Sequence, residues 1–219
     1  VRVHGRPTNK AQSCHSQFLK NRPSGHVDDQ RTGSNLRLYP WRYGYQASRK
    51  LLEIEAHHVK TVHVLLEEAT FEHVLSDKDA VALFGAIGSE LPKLESVTVE
   101  LKISPHFSRA SVATPPIQAL TSLLMNKRIQ SVTWIGLRLL GDDYDMNGLV
   151  EAIRIHSTLH SIAIRKCWFA SDWHLQLLKR TLTERRNMKH VDLMGNIIVQ
   201  LPSKHHYYTT AETDETATS

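Results

Sequence analysis

Histidine is the side chain with the greatest capacity for chemistry in this chain, which has 14 histidines among 219 residues. Two groups stand out in the sequence: His57, His58, His63 and His73, and then His205 and His206. A zinc site needs three or four N, S or O ligands at characteristic spacing, such as His-x-x-x-His on a helix or paired cysteines. His57 and His63 lie on either side of a predicted strand start, and no cysteine lies near them. We therefore expect no metal site and no cofactor.

A cysteine nucleophile is a second chemical candidate. Cys167 has His160 and His174 seven residues to either side. The repeat pattern described below, however, predicts that Cys167 faces inward, which explains it better than catalysis does. The chain also lacks the phosphate-binding, dinucleotide-binding, zinc-protease and serine-hydrolase motifs. We therefore expect that the protein is not an enzyme.

An acidic run from Asp142 to Gly148 resembles part of a calcium loop. An EF-hand loop needs glycine at its sixth position and glutamate at its twelfth. Counted from Asp143, the sixth residue is Gly148, but the twelfth is Arg154. The mismatch favours a solvated loop with helix-capping acids.

The elements that must position any site are marked by a pattern that returns five times: apolar-x-x-apolar-x-apolar. The copies start at Val59, Leu94, Ile129, Leu159 and Met188, so the starts lie 35, 35, 30 and 29 residues apart. Such a fixed period is the signature of a repeat architecture. We call these copies the first to the fifth repeat.

Helix patterns with start signals lie between the predicted strands. Ser76 with Asp79 resembles a capping box, and Asn147 and Ser171 are N-cap candidates for the later helices. Thr114 is predicted to cap a helix that has Pro115 at its first position. A unit of about thirty residues cannot bury its own apolar face, so successive units must stack. The sequence therefore predicts an α/β fold in which parallel strands form a concave face and helices a convex face.

The repeats resemble the leucine-rich repeat, whose consensus is Leu-x-x-Leu-x-Leu-x-x-Asn/Cys-x-Leu. The fifth repeat, Met188 to Ile198, fills every consensus position, with Asn196 at the Asn/Cys position. The fourth repeat has Cys167 there. A cysteine at this position with units near 29 residues is similar to the ribonuclease-inhibitor-like class. The resemblance implies a short curved solenoid whose Asn or Cys side chain satisfies backbone groups where the chain leaves the strand.

The first three repeats depart from the consensus at the Asn/Cys position, where they have Glu67, Lys102 and Leu137. A buried backbone group without a partner costs about 1–3 kcal/mol. We therefore expect the first three repeats to turn out of their strands differently from the last two.

The third, fifth and seventh residues of each repeat are predicted to point to the concave face. Serine and threonine occupy much of this face. Columns of such small residues are also common in closely spaced parallel sheets that bind nothing. Binding specificity on the face is predicted to come from Glu100, Thr133, Arg165, His190 and Asp192. The resemblance and this face predict a non-catalytic module that binds another protein.

The N-terminal segment carries the excess positive charge of the chain, whose formal net charge is +5. Residues 1–50 hold ten Lys and Arg against Asp28 and Asp29, and interleaved aromatic residues lie near the end of that range: Tyr39, Trp41, Tyr43 and Tyr45. This composition predicts a disordered basic arm, although residues 36–45 could form a strand or clamp onto the first repeat. The alternative function is binding of nucleic acid or an anionic surface by this arm. The cations would contact phosphate groups, and the aromatic rings would stack on bases.

The predicted organisation is a basic arm over 1–50, repeats over 51–202 and a disordered polar, acidic tail over 203–219. Two cysteines give no disulfide framework, which favours an intracellular protein of the cytoplasm or nucleus. No apolar run approaches the roughly 20 residues that span a bilayer. We expect a monomer, and the start at Val1 favours a fragment of a longer protein.

Overall fold

The computed structural model describes residues 34–67, 76–102 and 114–199, all of which belong to one compact unit, Gly33–Ser219. The nine strands of these residues are β1 (Asn35–Leu38), β2 (Thr61–Glu67), β3 (Ser96–Lys102), β4 (Ser131–Ile135), β5 (Arg138–Leu139), β6 (Ser161–Arg165), β7 (Trp168–Phe169), β8 (His190–Asp192) and β9 (Ile197–Ile198). The helices are α1 (Pro40–Glu55), α2 (Asp77–Glu90), α3 (Ile117–Leu123), α4 (Asp143–Ile155) and α5 (Asp172–Glu184). The predictions for residues 1–33 and 203–219 lie outside the described residues.

The main sheet contains six parallel strands in the order β1-β2-β3-β4-β6-β8. The third residues of the five repeats lie side by side across it: Thr61, Ser96, Ser131, Ser161 and His190. The five copies are therefore in register, and the predicted α/β fold with parallel strands alternating with helices is confirmed.

One apolar core lies between the main sheet and the helices. Its strand side chains include Val62, Val97, Trp134 and Ile164, and its helix side chains include Leu83, Leu120, Leu149 and Leu178, all fully buried. Alternation along each strand places every second side chain in this core. The remaining side chains of the strands are thereby directed to the other face of the sheet.

Strand β1 and helix α1 lie mostly within the range that the sequence analysis grouped with the basic arm. Leu36 and Leu38 of β1 are buried, and so is Leu52 of α1. Gly44 interrupts the helix with a non-helical backbone (φ 79°, ψ 170°), a conformation that glycine adopts without strain. The strand considered for residues 36–45 is thus present, and it pairs with β2 in parallel.

The helix starts match the sequence prediction in two cases out of four. Ser76 accepts a hydrogen bond from the Asp79 backbone N–H, and Ser171 accepts one from that of His174. The other two predictions are wrong. Helix α3 is preceded by Pro116 and not by Thr114. Helix α4 begins before Asn147, and its N-cap is Asp142, whose side chain accepts a hydrogen bond from the Asp145 N–H at 2.9 Å. Asp142 is a good N-cap for α4 because a carboxylate is favoured beside the positive end of the helix dipole.

The last three repeats leave their strands through one left-handed residue, which is always the eighth of the repeat. These residues are Gly136 (φ 71°), Lys166 (φ 53°) and Gly195 (φ 69°). The chain then forms the short strands β5, β7 and β9, which pair in a second parallel sheet. In the first two repeats β2 and β3 continue through the eighth position, which Leu66 and Leu101 occupy.

The prediction that the first three repeats turn differently from the last two is therefore wrong for the third. Its Leu137 is fully buried, and its carbonyl accepts from the Trp168 N–H at 2.8 Å. The Gly136 N–H donates to the Arg165 carbonyl at 2.9 Å. Because the next repeat satisfies these backbone groups, the third repeat needs no polar side chain at that position.

The fifth repeat uses its asparagine as the resemblance implied. Asn196 Nδ2 donates to the carbonyls of Ile164 and Leu193 at 2.8 and 2.9 Å, and Asn196 Oδ1 accepts from the Cys167 N–H at 2.9 Å. One amide side chain thus satisfies three backbone groups, two of which belong to the turn of the fourth repeat.

The turns between helix and strand are joined by side chains that reach back to the preceding repeat. Three donors contact backbone carbonyls there: Arg128 to Pro92, His156 Nε2 to Asn126 at 2.7 Å, and Arg185 to Ile153 and Leu159. His156 Nδ1 accepts from the Leu159 N–H at 3.1 Å, which leaves the ring hydrogen on Nε2. Burial lowers the pKa of His156 and so favours this neutral form.

Candidate functional site: the open face of the sheet

The open face is the side of the main sheet that carries the third, fifth and seventh residues of each repeat. Most of these side chains are half-buried, and Arg165, His190 and Met194 are exposed. The five residues that the sequence predicted for specificity, Glu100, Thr133, Arg165, His190 and Asp192, all belong to these positions. Their positions agree with the strand registers, whereas their role in binding stays a prediction.

Arg165 and Asp192 form an ion pair at one side of this face. The Arg165 guanidinium lies 2.6 Å from Asp192 Oδ2, across the β6–β8 pair. Asp192 Oδ1 accepts a second hydrogen bond, at 3.0 Å, from the Met194 N–H. This backbone bond, followed by the contact with Arg165, lowers the pKa of Asp192. Asp192 is therefore held as a carboxylate, and Arg165 stays partly exposed beside it.

Glu100 contacts His63 rather than the other predicted residues. His63 Nε2 lies 3.0 Å from Glu100 Oε2, across the β2–β3 pair, and both side chains are largely buried. Burial lowers the pKa of His63 although the Glu100 carboxylate opposes that shift. His63 is thus neutral at pH 7, and its N–H donates to Glu100. The two polar pairs share a geometry, since each joins neighbouring strands diagonally.

A neutral strip separates the two pairs. Thr98, Thr133 and Ala163 lie side by side in one row, and Ile135 lies between Glu100 and Arg165 in the next. Neighbouring strands are about 4.8 Å apart, so Glu100 and Arg165 are about 10 Å apart along the row. Thr133 thus lies at the centre of the face. His190 lies in another row, beside Ser161, and its charge is the smallest of the causes that lower the pKa of Asp192.

Sequence reasoning missed Arg37, which lies beside His63 in the β1–β2 register. Its strand has four residues, so only the alternation of Leu36 and Leu38 marks it. Arg37 extends the row that contains His63, Thr98 and Thr133, and its charge is one of the smaller causes that lower the pKa of His63. His63 is the other residue that the specificity set lacked.

The remaining candidates for chemistry have structural partners. Burial raises the pKa of the Cys167 thiol to about 12, so it is protonated at pH 7, and Sγ contacts the Arg165 carbonyl at 3.4 Å. His174 is buried, and its Nε2 lies 2.9 Å from Asp143 Oδ1 at the starts of α5 and α4. Across the described ranges, no group of three or more His, Cys, Asp or Glu is placed to hold a metal ion.

The aromatic residues of the alternative nucleic-acid function are partly engaged in the fold. Tyr45 is half-buried against the apolar core, and Tyr39 is half-buried at the start of α1. Their rings are therefore less available for stacking on bases than the sequence analysis assumed. Within the part of the chain that the structure describes, no helix has the length and apolar character to cross a bilayer.

Comparison with known proteins identifies no family. No protein-family model and no curated protein matches the chain. Among solved structures, the chain is similar to the tropomodulin C-terminal domain of Caenorhabditis elegans. The two are 14% identical with a TM-score of 0.44, over 81% of this chain and 93% of that chain.

Proposed function

We propose that this protein is a non-catalytic module that binds another protein through the open face of its sheet. The arrangement of two polar pairs, His63–Glu100 and Arg165–Asp192, on either side of the strip around Thr133 carries the proposal. The strands that hold these side chains are fixed from behind by the buried core. A rigid surface costs little ordering entropy on binding, so its polar groups discriminate well between partners.

The chemistry of the face suits a partner with complementary polar groups. Arg165 keeps an exposed part of its guanidinium, and the threonine hydroxyls of the strip can both donate and accept hydrogen bonds. Electrostatic complementarity of this kind contributes more to specificity and association rate than to affinity. We therefore expect a partner that places an acidic group beside Arg165 and hydrogen-bonding groups over the strip.

We also propose that the fold is a leucine-rich-repeat solenoid of the ribonuclease-inhibitor-like class. Three observations support it: the turn residues of the last three repeats, the helix that follows each of the first four repeats, and the backbone bonds of Asn196. Repeat solenoids of this kind present extended binding surfaces.

The test is affinity capture from native lysate with mass spectrometry, using the full chain and a double variant, Arg165→Asp with Asp192→Arg. The double variant keeps an ion pair within the protein but reverses the charge pattern that a partner meets. We expect proteins captured by the wild type to be lost from the variant, while thermal unfolding of the two chains stays similar.

The matched control is Glu151→Arg with Arg154→Glu, which reverses an exposed ion pair on α4, in the helix layer. We expect this control to capture the same proteins as the wild type. Equal capture by both double variants would remove the open face as the binding surface. Equal loss from both would indicate a general charge effect instead.

A further inference from the structure

The last described repeat leaves three apolar side chains of its strands exposed, and two of them have buried equivalents in the earlier repeats that the structure describes. Val191 is 43% exposed, whereas its equivalents Val62, Val97, Val132 and Ile162 are fully buried. Ile197 and Ile198 of β9 are 46% and 40% exposed, whereas Leu139 and Phe169, the equivalents of Ile198, are fully buried. We call Val191, Ile197 and Ile198 the terminal strip. Apolar side chains grouped at the end of a sheet mark an interaction surface.

The backbone of the same strands is also available. Among the described strands, β8 pairs only with β6 and β9 pairs only with β7, so each has one edge without a neighbour. Such an edge is a template for an added strand, whose main-chain hydrogen bonds supply affinity while alternate side chains supply specificity. The opposite edge of the main sheet differs, because Leu36 and Leu38 of β1 are already buried.

Exposed cationic residues precede the strand β8 and the strand β7 at this end of the sheets. Arg186 and Lys189 lie exposed where β8 begins, and Lys166 lies exposed where the chain turns towards the second sheet. Asp192 already contacts Arg165, so it does not offset these charges for an incoming chain. An incoming segment with acidic residues is therefore attracted to this edge.

We infer that an extended segment of another protein adds to the terminal strip as the next parallel strand beside β8. A parallel segment passes β8 and then β9 in order, so one chain covers Val191 first and Ile197 and Ile198 afterwards. Every pair among the described strands is parallel, so a parallel segment continues both sheets in the pattern that they already have. The partner segment has apolar side chains at alternate positions and acidic residues at its N-terminal end, beside Arg186 and Lys189. This surface is separate from the open face and does not depend on the function proposed for it.

The test uses a fluorescein-labelled peptide with two acidic residues followed by alternating valine and threonine, titrated with the full chain. We expect saturable anisotropy that Val191→Lys weakens more than about tenfold, because the substitution places a charge in the apolar contact. Lys189→Glu should weaken binding at low salt and less at high salt. A peptide with the acidic residues moved to its C-terminal end should bind more weakly.

The matched control is Ile54→Lys, which changes an apolar residue on α1 that is 61% exposed. The inference would be overturned if Ile54→Lys weakened binding as much as Val191→Lys does. Equal binding of the two peptides, with acidic residues at the N-terminal or at the C-terminal end, would also overturn it. Light scattering would identify a second copy as the occupant by a doubled mass that Val191→Lys abolishes. A truncated variant that ends at Gln200 tests residues 201–219 as the occupant. If this variant binds the peptide and the full chain does not, residues 201–219 occupy the strip. A second copy or residues 201–219 as the occupant would each overturn the inference that a segment of another protein binds there.

Discussion

The first two repeats and the last three share one strand pattern but leave the strand in different ways. Leu66 and Leu101 continue straight strands, whereas Gly136, Lys166 and Gly195 at the same repeat position are left-handed and begin a turn. The apolar spacing therefore specifies which residues enter the sheet. The backbone preference of a single residue then decides where the strand ends, because left-handed backbone suits glycine and is strained for most other residues.

Two kinds of turn within the last three repeats sharpen this comparison. The turn of the third repeat, with Leu137, is bonded by the backbone of the repeat that follows it. The turn of the fourth repeat is bonded in addition by a side chain of the following repeat, because Asn196 contacts the Ile164 carbonyl and the Cys167 N–H. The following predictions test the two contrasts, and the free energy of unfolding from urea titration is the measurement for each.

The largest effect is expected for Leu66→Gly, which introduces the turn residue into a straight strand. Leu66 is fully buried, so the loss of its side chain leaves a cavity, and glycine also weakens the strand. We expect a loss of about 3 to 5 kcal/mol. A loss below about 1 kcal/mol would mean that the first repeat can adopt the turned conformation after all.

Asn196→Ala should cost about 2 kcal/mol, because it removes the partners of three backbone groups at once. The control is Asn147→Ala on the exposed surface of α4, where alanine favours the helix and no loss is expected. Equal effects of the two substitutions would show that water replaces the Asn196 amide.

Gly136→Ala should cost about 1 to 2 kcal/mol, since the residue is left-handed and an added Cβ would lie 3.1 Å from the Leu101 carbonyl oxygen. Gly148→Ala in α4 is the matched control, because a Cβ there meets nothing within 4 Å. That control should stabilise the protein by about 0.5 to 1 kcal/mol. Opposite signs for the two substitutions support the turn assignment.

Lys166→Gly should have the smallest effect, a gain of about 0.5 kcal/mol, because Lys166 is the one described residue other than glycine with a left-handed backbone. The gain is limited by the greater freedom of glycine in the unfolded chain. Lys179→Gly, on the exposed surface of α5, should instead lose about 1 kcal/mol. A loss at both positions would contradict the strained backbone at Lys166.

The sequence was sufficient for the sheet because its period is long and its apolar positions are regular. Five strands and their registers follow from the starts at Val59, Leu94, Ile129, Leu159 and Met188. Strand β1 was less visible, since two apolar residues within four carry little periodic signal. The turn of the third repeat was predicted wrongly, because the backbone bonds that replace a polar side chain at Leu137 come from another repeat.

The same limit applies to the candidate site. Alternation along the strands was enough to group Glu100, Thr133, Arg165, His190 and Asp192 on one face. It was not enough to pair Glu100 with His63, because that contact depends on a diagonal between strands and on side-chain conformation. Exposure of the terminal strip was equally hidden, since Val191 has the same residue type as its buried equivalents Val62, Val97 and Val132.

The contacts that Arg128, His156 and Arg185 make with the preceding repeat make the two ends of the stack unequal in stability. Each side chain holds carbonyls of the repeat before it, so a shortened chain behaves differently at its two ends. Removing the fifth repeat with Arg185 strips the donors from the Ile153 and Leu159 carbonyls that remain. Removing repeats from the other end leaves Arg128 with a free guanidinium that water solvates readily. Truncation from the C-terminal end therefore loses more stability than truncation from the N-terminal end, and the repeats unfold less readily from the C-terminal end.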